Sequence, residues 1–182
     1  MPLAVGNEWH YHFMYHYGGV SDTSATQENR IRVIKDTIVG DERWSMILTN
    51  CGDTTSGESF VTNRTGGLYR FFRKALMPSY DLPYPATVGT TVVRRDTFNW
   101  AFEIDSLYVQ STNKLVTVPA GTFSTFLYNH MYIFISPNSQ GADTTLHEEY
   151  YAPGIGFIKG LYYNSTSKVH PNEEVLMDYK LY

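Results

Sequence analysis

The segment "EWHYHFMYHY", residues 8–17, contains three His, one Met and five aromatic residues. If it forms a strand, His10 and His12 project from the same face, about 7 Å apart at a rise of ~3.3 Å per residue. Two imidazoles at that spacing can bind one Zn²⁺ or Cu²⁺, and a thioether at Met14 suits Cu⁺. The segment is therefore a candidate metal site.

A third metal ligand would have to come from His16 or from a neighbouring strand, where His130 and His147 are candidates. The simpler interpretation is that the aromatic residues of the segment fill the core, while the opposite face is half wet and tolerates His. We therefore predict that His10 and His12 are solvent-face residues, and that none of these candidates, Met14 included, binds a metal.

Two pairs of acidic residues offer further chemistry. Glu103 and Asp105 would share one face of a strand and could bind Ca²⁺ together with loop oxygens, although a solvated strand face is the favoured interpretation. Glu148 and Glu149 are adjacent, so in a strand they face opposite ways and cannot form an acid and base pair across one site.

A local basic cluster is interleaved with aromatic and apolar residues and could line a groove for an acidic ligand. We predict instead that it lies on the wet face of strands. The cluster comprises Arg70, Arg73, Lys74, Arg94 and Arg95.

No nucleophile has an evident partner. Cys51 lacks a local His or acid pattern, and Ser124 and Ser136 lack a recognisable His and Asp constellation. The glycines of "GIGFIKG" precede no helical pattern that could hold a phosphate. We predict no catalytic residue, no cofactor and no enzymatic activity.

Composition excludes several classes of protein. The net charge of −4 argues against a nucleic-acid partner, and the single Cys excludes an intrachain disulfide. No run of 18 apolar residues occurs, so we predict no transmembrane segment.

The elements that would position these residues are strands. Alternation of period two recurs along the chain, which has 15 Tyr and 10 Phe, and helical periodicity is almost absent. A hairpin is predicted over 29–37 and 42–49, and an irregular connection or edge over the Pro-rich 77–89. Polar runs at 21–29, 50–59 and 137–146 are predicted loops.

About ten strands with short spacings indicate one all-β antiparallel domain over residues 1–182. The alternatives are a sandwich, a barrel or a strongly curved sheet. Seven aromatic residues should be largely buried, and Trp100→Ala should cost roughly 3–5 kcal/mol. They are Trp9, Tyr11, Phe13, Trp44, Trp100, Phe102 and Phe123.

Three segments together resemble a group of bacterial secreted or envelope β-proteins of uncharacterised function. They are "PLAVGNEWHY" from Pro2, "VTVPAGTF" from Val116 and "YYAPGIGFIKG" from Tyr150. Ile155 stands where that group often has Val. The resemblance implies the β architecture and a secreted or cell-envelope location, with a leader preceding Pro2 in the native gene, but no reaction.

The favoured function is a non-catalytic exported binding or structural module, because Tyr-rich surfaces suit protein, peptide or glycan contacts. The alternative is a carrier of a hydrophobic ligand within the curved sheet, and an enzyme is the least favoured class. A deep apolar cavity would favour the carrier, a convergent polar cleft the enzyme, and a filled core the module. Edge strands at either end of the chain could support self-association.

Overall fold

A computed structural model describes residues 1–16, 23–52, 54–72, 78–98, 101–136, 142–164 and 167–182. All the regular structure in these ranges is β-strand. These residues include no helix with the length and apolar character needed to cross a membrane. The twelve strands are β1 Glu8–His16, β2 Thr23–Val39, β3 Glu42–Cys51, β4 Thr54–Arg64, β5 Gly67–Phe72, β6 Ser79–Pro83, β7 Thr91–Phe98, β8 Ala101–Val118, β9 Gly121–Ile135, β10 Ala142–Ala152, β11 Gly156–Asn164 and β12 Ser167–Lys180.

One antiparallel sheet contains every strand, in the order β6-β5-β4-β3-β2-β1-β12-β11-β10-β9-β8-β7. The predicted all-β antiparallel fold is confirmed, with twelve strands in the described ranges rather than about ten. The first and last strands, β1 and β12, pair with each other in the middle of the order, from Glu8 opposite Lys180 to Met14 opposite Glu173. The prediction that the chain ends supply edge strands is wrong, because the edges are β6 and β7.

Side chains join the two ends of this strand order, so the sheet is strongly curved. The Arg94 Nη1 atom of β7 donates to the Tyr80 carbonyl oxygen of β6 at 2.7 Å. The Tyr128 hydroxyl of β9 donates to the Pro83 carbonyl oxygen at 2.8 Å. No hydrogen-bonded ladder joins β6 to β7 within the described ranges. Among the predicted architectures, the strongly curved sheet therefore matches the structure, and the Pro-rich segment supplies the edge strand β6.

Local turn chemistry accounts for the predicted hairpins. Gly40 adopts a φ of 67° between β2 and β3, and Gly154 adopts a φ of 75° after Pro153 between β10 and β11. Both φ values lie in the left-handed region, where a residue without Cβ is unstrained. The hairpin predicted over 29–37 and 42–49 is confirmed.

Much of the three predicted loops is strand instead. β2 begins at Thr23, β4 at Thr54 and β10 at Ala142, so each of these hairpins extends into polar sequence. Thr is a good strand former, and a polar segment can form a strand when a neighbouring strand offers backbone N–H and C=O groups for hydrogen bonding. Pairing with β1, β3 and β9 therefore overrides the polar composition of these runs.

The apolar core lies inside the curved sheet, towards the end where β1 begins and β12 ends. Trp9, Tyr11 and Trp44 are almost fully buried, as predicted. Phe13, Phe102 and Phe123 are only partly buried, which corrects their prediction. Phe102 and Phe123 lie near the beginnings of β8 and β9, where fewer neighbours cover a ring. Trp100 lies outside the described residues, so its predicted burial remains a prediction.

Gly67 lets β5 and β6 approach closely, and its replacement by Ala should destabilise the fold. An added Cβ would overlap the Leu82 backbone oxygen and lie 2.5 Å from the Tyr80 ring. Relieving that overlap requires a backbone shift, so we expect a loss of ~1–3 kcal/mol in the free energy of unfolding, measured by urea denaturation. Gly57→Ala is the matched control, because no atom lies within 4 Å of its added Cβ. Equal stability of the two variants would contradict the close approach.

Candidate functional site

A cavity of about 420 Å³ lies inside the curved sheet, between β5 and β6 on one side and β7 to β10 on the other. It is displaced from the apolar core towards the end where β5 ends and β8 begins. Its charged wall residues are Arg70, Asp81, Arg94, Glu103, Asp105 and Glu149, and His130, Tyr132 and Tyr151 complete its polar and aromatic surface.

Both arginines are engaged by carboxylates. Arg70 donates from Nε and Nη2 to Asp81 Oδ2 at 3.1 and 3.0 Å. Burial disfavours the charge of Arg70, but Asp81 outweighs that effect and raises the pKa of the guanidinium above its usual value. Arg94 donates from Nη2 to Asp105 Oδ2, and its Nη1 lies 3.9 Å from Asp81 Oδ1. The two guanidinium groups are therefore already neutralised.

His130 lies between the network of arginines and carboxylates and Glu149 of β10. Its side chain is only 3 % exposed. Its Nδ1 lies 3.3 Å from Asp105 Oδ1 and 3.3 Å from the Tyr132 hydroxyl. Its Nε2 has no hydrogen-bond partner among the described residues and lies 3.5 Å from Glu149 Oε2. Burial lowers the pKa of His130, which favours the neutral ring.

Glu149 is the carboxylate that faces His130 Nε2, and its side chain is 14 % exposed. The Tyr151 hydroxyl donates to Glu149 Oε2 at 3.1 Å. Burial raises the pKa of Tyr151 well above 10, so its hydroxyl remains a donor. No Lys or Arg of the described chain forms an ion pair with Glu149.

A row of rings continues from the cavity across the inner face of the sheet. His147 lies between Tyr132 and Tyr162, with ring centroids 4.7 and 4.8 Å away. The Tyr162 hydroxyl donates to Glu174 Oε2 at 3.1 Å, and Asn29 Nδ2 donates to Glu174 Oε1 at 2.8 Å. Burial raises the pKa of Glu174. The polar inner surface thus extends from β7 to β2.

The stability of the protein should fall on acidification because of His147. The pKa of His147 is lowered from its usual 6.5 to about 4, mainly by burial and secondly by the charge of His130. The unfolded chain takes up this proton first, so the free energy of unfolding falls as the pH falls from about 6.5 to about 4. When the free energy of unfolding, measured by urea denaturation, is plotted against pH across that window, the slope should be smaller for His147→Gln than for the parent protein. Identical slopes would contradict this assignment.

The histidine segment that the sequence singles out lies elsewhere. His10 Nε2 lies 2.9 Å from Glu8 Oε1, and His10 Nδ1 lies 3.0 Å from Asp178 Oδ1. The hydrogen bond from His10 is the largest cause that lowers the pKa of Glu8. His12 Nε2 lies 3.6 Å from Glu28 Oε1. These side chains are about one-third exposed, which fits a half-wet face.

The structure does not bring the other proposed metal ligands to this segment. β1 lies between β2 and β12, whereas His130 belongs to β9 and His147 to β10. The two are opposite each other in their own ladder. Across the described ranges, no three His, Cys, Asp or Glu side chains form a group that could hold a metal. The absence of a metal at His10, His12, Met14 and His16 remains a prediction.

The wet-face prediction is wrong for Arg70 and Arg94, which line the cavity, whereas Arg95 is exposed. Arg73 and Lys74 lie outside the described residues. Glu103 and Asp105 share a face as predicted, but it is the inner face, and Asp105 is 6 % exposed. Curvature of the sheet is the physical reason, because it converts one polar face into an interior wall.

Sequence reasoning did not associate Asp81, His130, Tyr132 and Glu149 as one site. A sequence signal for this site is a charged residue on the same face of a strand as apolar core residues. In β8, Asp105 shares the inner face with Leu107 and Val109, which are almost fully buried. Charged residues on the face of a buried apolar run indicate an interior polar site.

No protein-family model matches this chain, and no curated protein matches it. Two solved structures have a similar fold. One is a Parabacteroides distasonis protein named a "putative lipoprotein", at a TM-score of 0.64 and 14% identity, covering 99% of this chain and 97% of the other. The second is a Bacteroides fragilis "putative exported protein with YmcC-like fold", at a TM-score of 0.62 and 18% identity, covering 99% and 98%.

Proposed function

We propose that this chain is an exported, non-catalytic binding module, folded as a single domain, that binds a small polar ligand in its interior cavity. The observation that carries the proposal is the charged cavity lined by His130, whose buried Nε2 has no hydrogen-bond partner among the described residues and faces Glu149. Its volume of about 420 Å³ falls within the range of ligand sites, roughly 300–1,000 Å³. Buried polar groups without partners are costly unless a ligand or water satisfies them.

Export is supported by the names of the two structural neighbours and by the sequence resemblance to envelope β-proteins. It is tested by fractionating cells of the native host and probing with an antibody. We expect the protein in the envelope or the medium. Recovery only in the cytoplasmic fraction would refute export and leave the cavity proposal unaffected.

The hydrophobic-carrier alternative has less support. Six of the eleven residues that line the interior cavity are charged, and burying an apolar ligand against them would remove their hydration without compensation. A more apolar recess beside Leu68, Leu82 and Phe126 holds only about 60 Å³, which is too small for a lipid or other carried ligand.

An enzyme is the second candidate, because the cavity is a convergent polar cleft and contains a His–Asp pair. Such a pair orients a general base when the second ring nitrogen faces a nucleophile or substrate. Here Nε2 of His130 faces the Glu149 carboxylate, which cannot act as its proton donor when ionised. Asp105 is also occupied by Arg94. Binding therefore explains the arrangement with fewer assumptions.

Ligand binding is tested by NMR, with separate additions of small amines, carboxylates and sugars at millimolar concentration. We expect at least one class to shift the backbone amide signals of cavity-wall residues such as Arg70, Arg94, His130 and Glu149. Signals of the outer-face residues Ile38 and Leu115, which are well exposed, provide the internal control. Absence of shifts in the cavity for all three classes would contradict the proposed function.

A further inference from the structure

The geometry points to a small organic cation, an amine or a guanidine, as the ligand of the interior cavity, bound between Glu149, His130 and the rings of Tyr132 and Tyr151. This inference rests on the proposed binding function and specifies the class of ligand. It follows from the charges of the cavity wall, from the donor and acceptor roles of its groups, and from its aromatic surface.

The cavity wall carries more negative than positive charge. It contains four carboxylates and two guanidinium groups, so its net charge is −2 when His130 is neutral. Asp81 and Asp105 neutralise the two arginines. Glu103 and Glu149 carry the excess negative charge. Neither of these partly buried carboxylates has a Lys or Arg ion-pair partner among the described residues, so a cation entering the cavity restores charge balance.

Donor and acceptor roles make the site more specific. We assign the proton of neutral His130 to Nδ1, because Asp105 Oδ1 at 3.3 Å can only accept when ionised, whereas the Tyr132 hydroxyl at 3.3 Å can accept as well as donate. This tautomer leaves Nε2 as an acceptor. The facing atom, Glu149 Oε2, is also an acceptor, and the two lie 3.5 Å apart without a hydrogen bond.

With this tautomer, the buried Nε2 of His130 and the facing Glu149 Oε2 are both acceptors, and a donor placed between them satisfies both. An ammonium or guanidinium group carries several N–H donors and no acceptor, so it can donate to Nε2 and to the Glu149 carboxylate together. Such charge-assisted hydrogen bonds are roughly twice as strong as neutral ones. An anionic ligand offers neither the charge nor the donors, and the arginines that could attract it are engaged by Asp81 and Asp105.

The aromatic part of the wall suits the same ligand. Tyr132 and Tyr151 line the cavity, and the faces of aromatic rings attract cations within ~6 Å of the ring centroid. The combination of a carboxylate, an imidazole acceptor and tyrosine rings is favourable for an alkylammonium group, whose apolar stem can pack on the rings.

Calorimetric titration with three four-carbon probes tests this inference: 1,4-diaminobutane, 1,4-butanediol and butanedioate. We expect the diamine to bind at least about tenfold more tightly than the diol, and butanedioate to bind most weakly. Glu149→Gln should weaken binding of the diamine by about tenfold or more, because it removes the charge and keeps the shape. Circular dichroism establishes that the variant is folded.

Glu148→Gln is the matched control, since the adjacent residue receives the same change on the opposite face. Glu148 accepts hydrogen bonds from Tyr150 and Tyr163, and it does not line the interior cavity. Its affinity for the diamine should stay within about twofold of the parent. Equal losses in both variants, or no loss in Glu149→Gln, would overturn the assignment of the cation to Glu149.

A second measurement needs no variant. The ¹⁵N signal of His130 Nε2 should move on addition of the diamine, because its lone pair gains a hydrogen bond. If the diol or butanedioate shifts the cavity signals and the diamine does not, the inference of a cationic ligand is wrong, whereas the proposed binding function stands. If none of the probes and none of the compound classes above shifts these signals, the binding function itself fails.

Discussion

Trp9→Ala should destabilise the protein by roughly 3–5 kcal/mol, the range typical of removing a large buried aromatic side chain. Trp9 is fully buried in the core formed by β1, β2 and β8 to β12. Its Nε1 also donates to the Ile155 carbonyl oxygen at 2.8 Å, and this bond joins β1 to the turn between β10 and β11. The substitution therefore leaves a cavity and an unpaired carbonyl together.

Urea denaturation monitored by circular dichroism measures this loss. Trp9→Phe should lose less, because it keeps most of the ring and removes only the donor and part of the volume. Leu115→Ala is the surface control, since Leu115 is 70% exposed, and it should change the free energy of unfolding by less than about 0.5 kcal/mol. A loss below about 1 kcal/mol for Trp9→Ala would show that the core is centred elsewhere.

Asp105→Asn should cost about 3 kcal/mol, because it leaves Arg94 without its closest counter-charge inside the protein. Asp105 is 6 % exposed, accepts a hydrogen bond from Arg94, and lies with its Oδ1 3.3 Å from His130 Nδ1. The carboxylate of Asp81, 3.9 Å from Arg94, compensates part of the loss, so we expect the lower end of the 3–5 kcal/mol range for broken buried pairs.

Thermal and urea denaturation of Asp178→Asn provide the comparison. Asp178 also contacts a basic side chain, His10, but its own side chain is 70% exposed. Exposed pairs contribute about 0–1 kcal/mol, so this variant should remain close to the parent. The double variant Arg94→Met, Asp105→Leu should be more stable than Asp105→Asn, because it leaves no uncompensated charge. Equal losses for the Asp105 and Asp178 variants would contradict the buried network.

These two experiments probe different halves of the interior. Trp9 belongs to the apolar core at one end of the curved sheet, and Asp105 belongs to the charged wall nearer the other end. A charged wall contributes less to stability than an apolar core of the same volume, which agrees with the ligand-binding role proposed for the cavity.

The sequence alone was sufficient to predict the antiparallel β fold. Period-two alternation is a local property of the chain, and so are the turns at Gly40 and at Pro153–Gly154, because each depends on a few adjacent residues. Alternation also predicted which residues share a face, as it did for Glu103 and Asp105 in β8 and for the opposed Glu148 and Glu149 in β10.

Only the tertiary structure decided which polar face is interior. Both faces of β8 to β10 carry aromatic and charged residues, so alternation separates two faces without identifying the inner one. The cavity depends on the curvature that brings Arg70 and Asp81 next to Arg94 and Glu149, across strands far apart in the chain and at opposite ends of the sheet. These are side-chain contacts between non-adjacent strands, and no local pattern in the sequence encodes them.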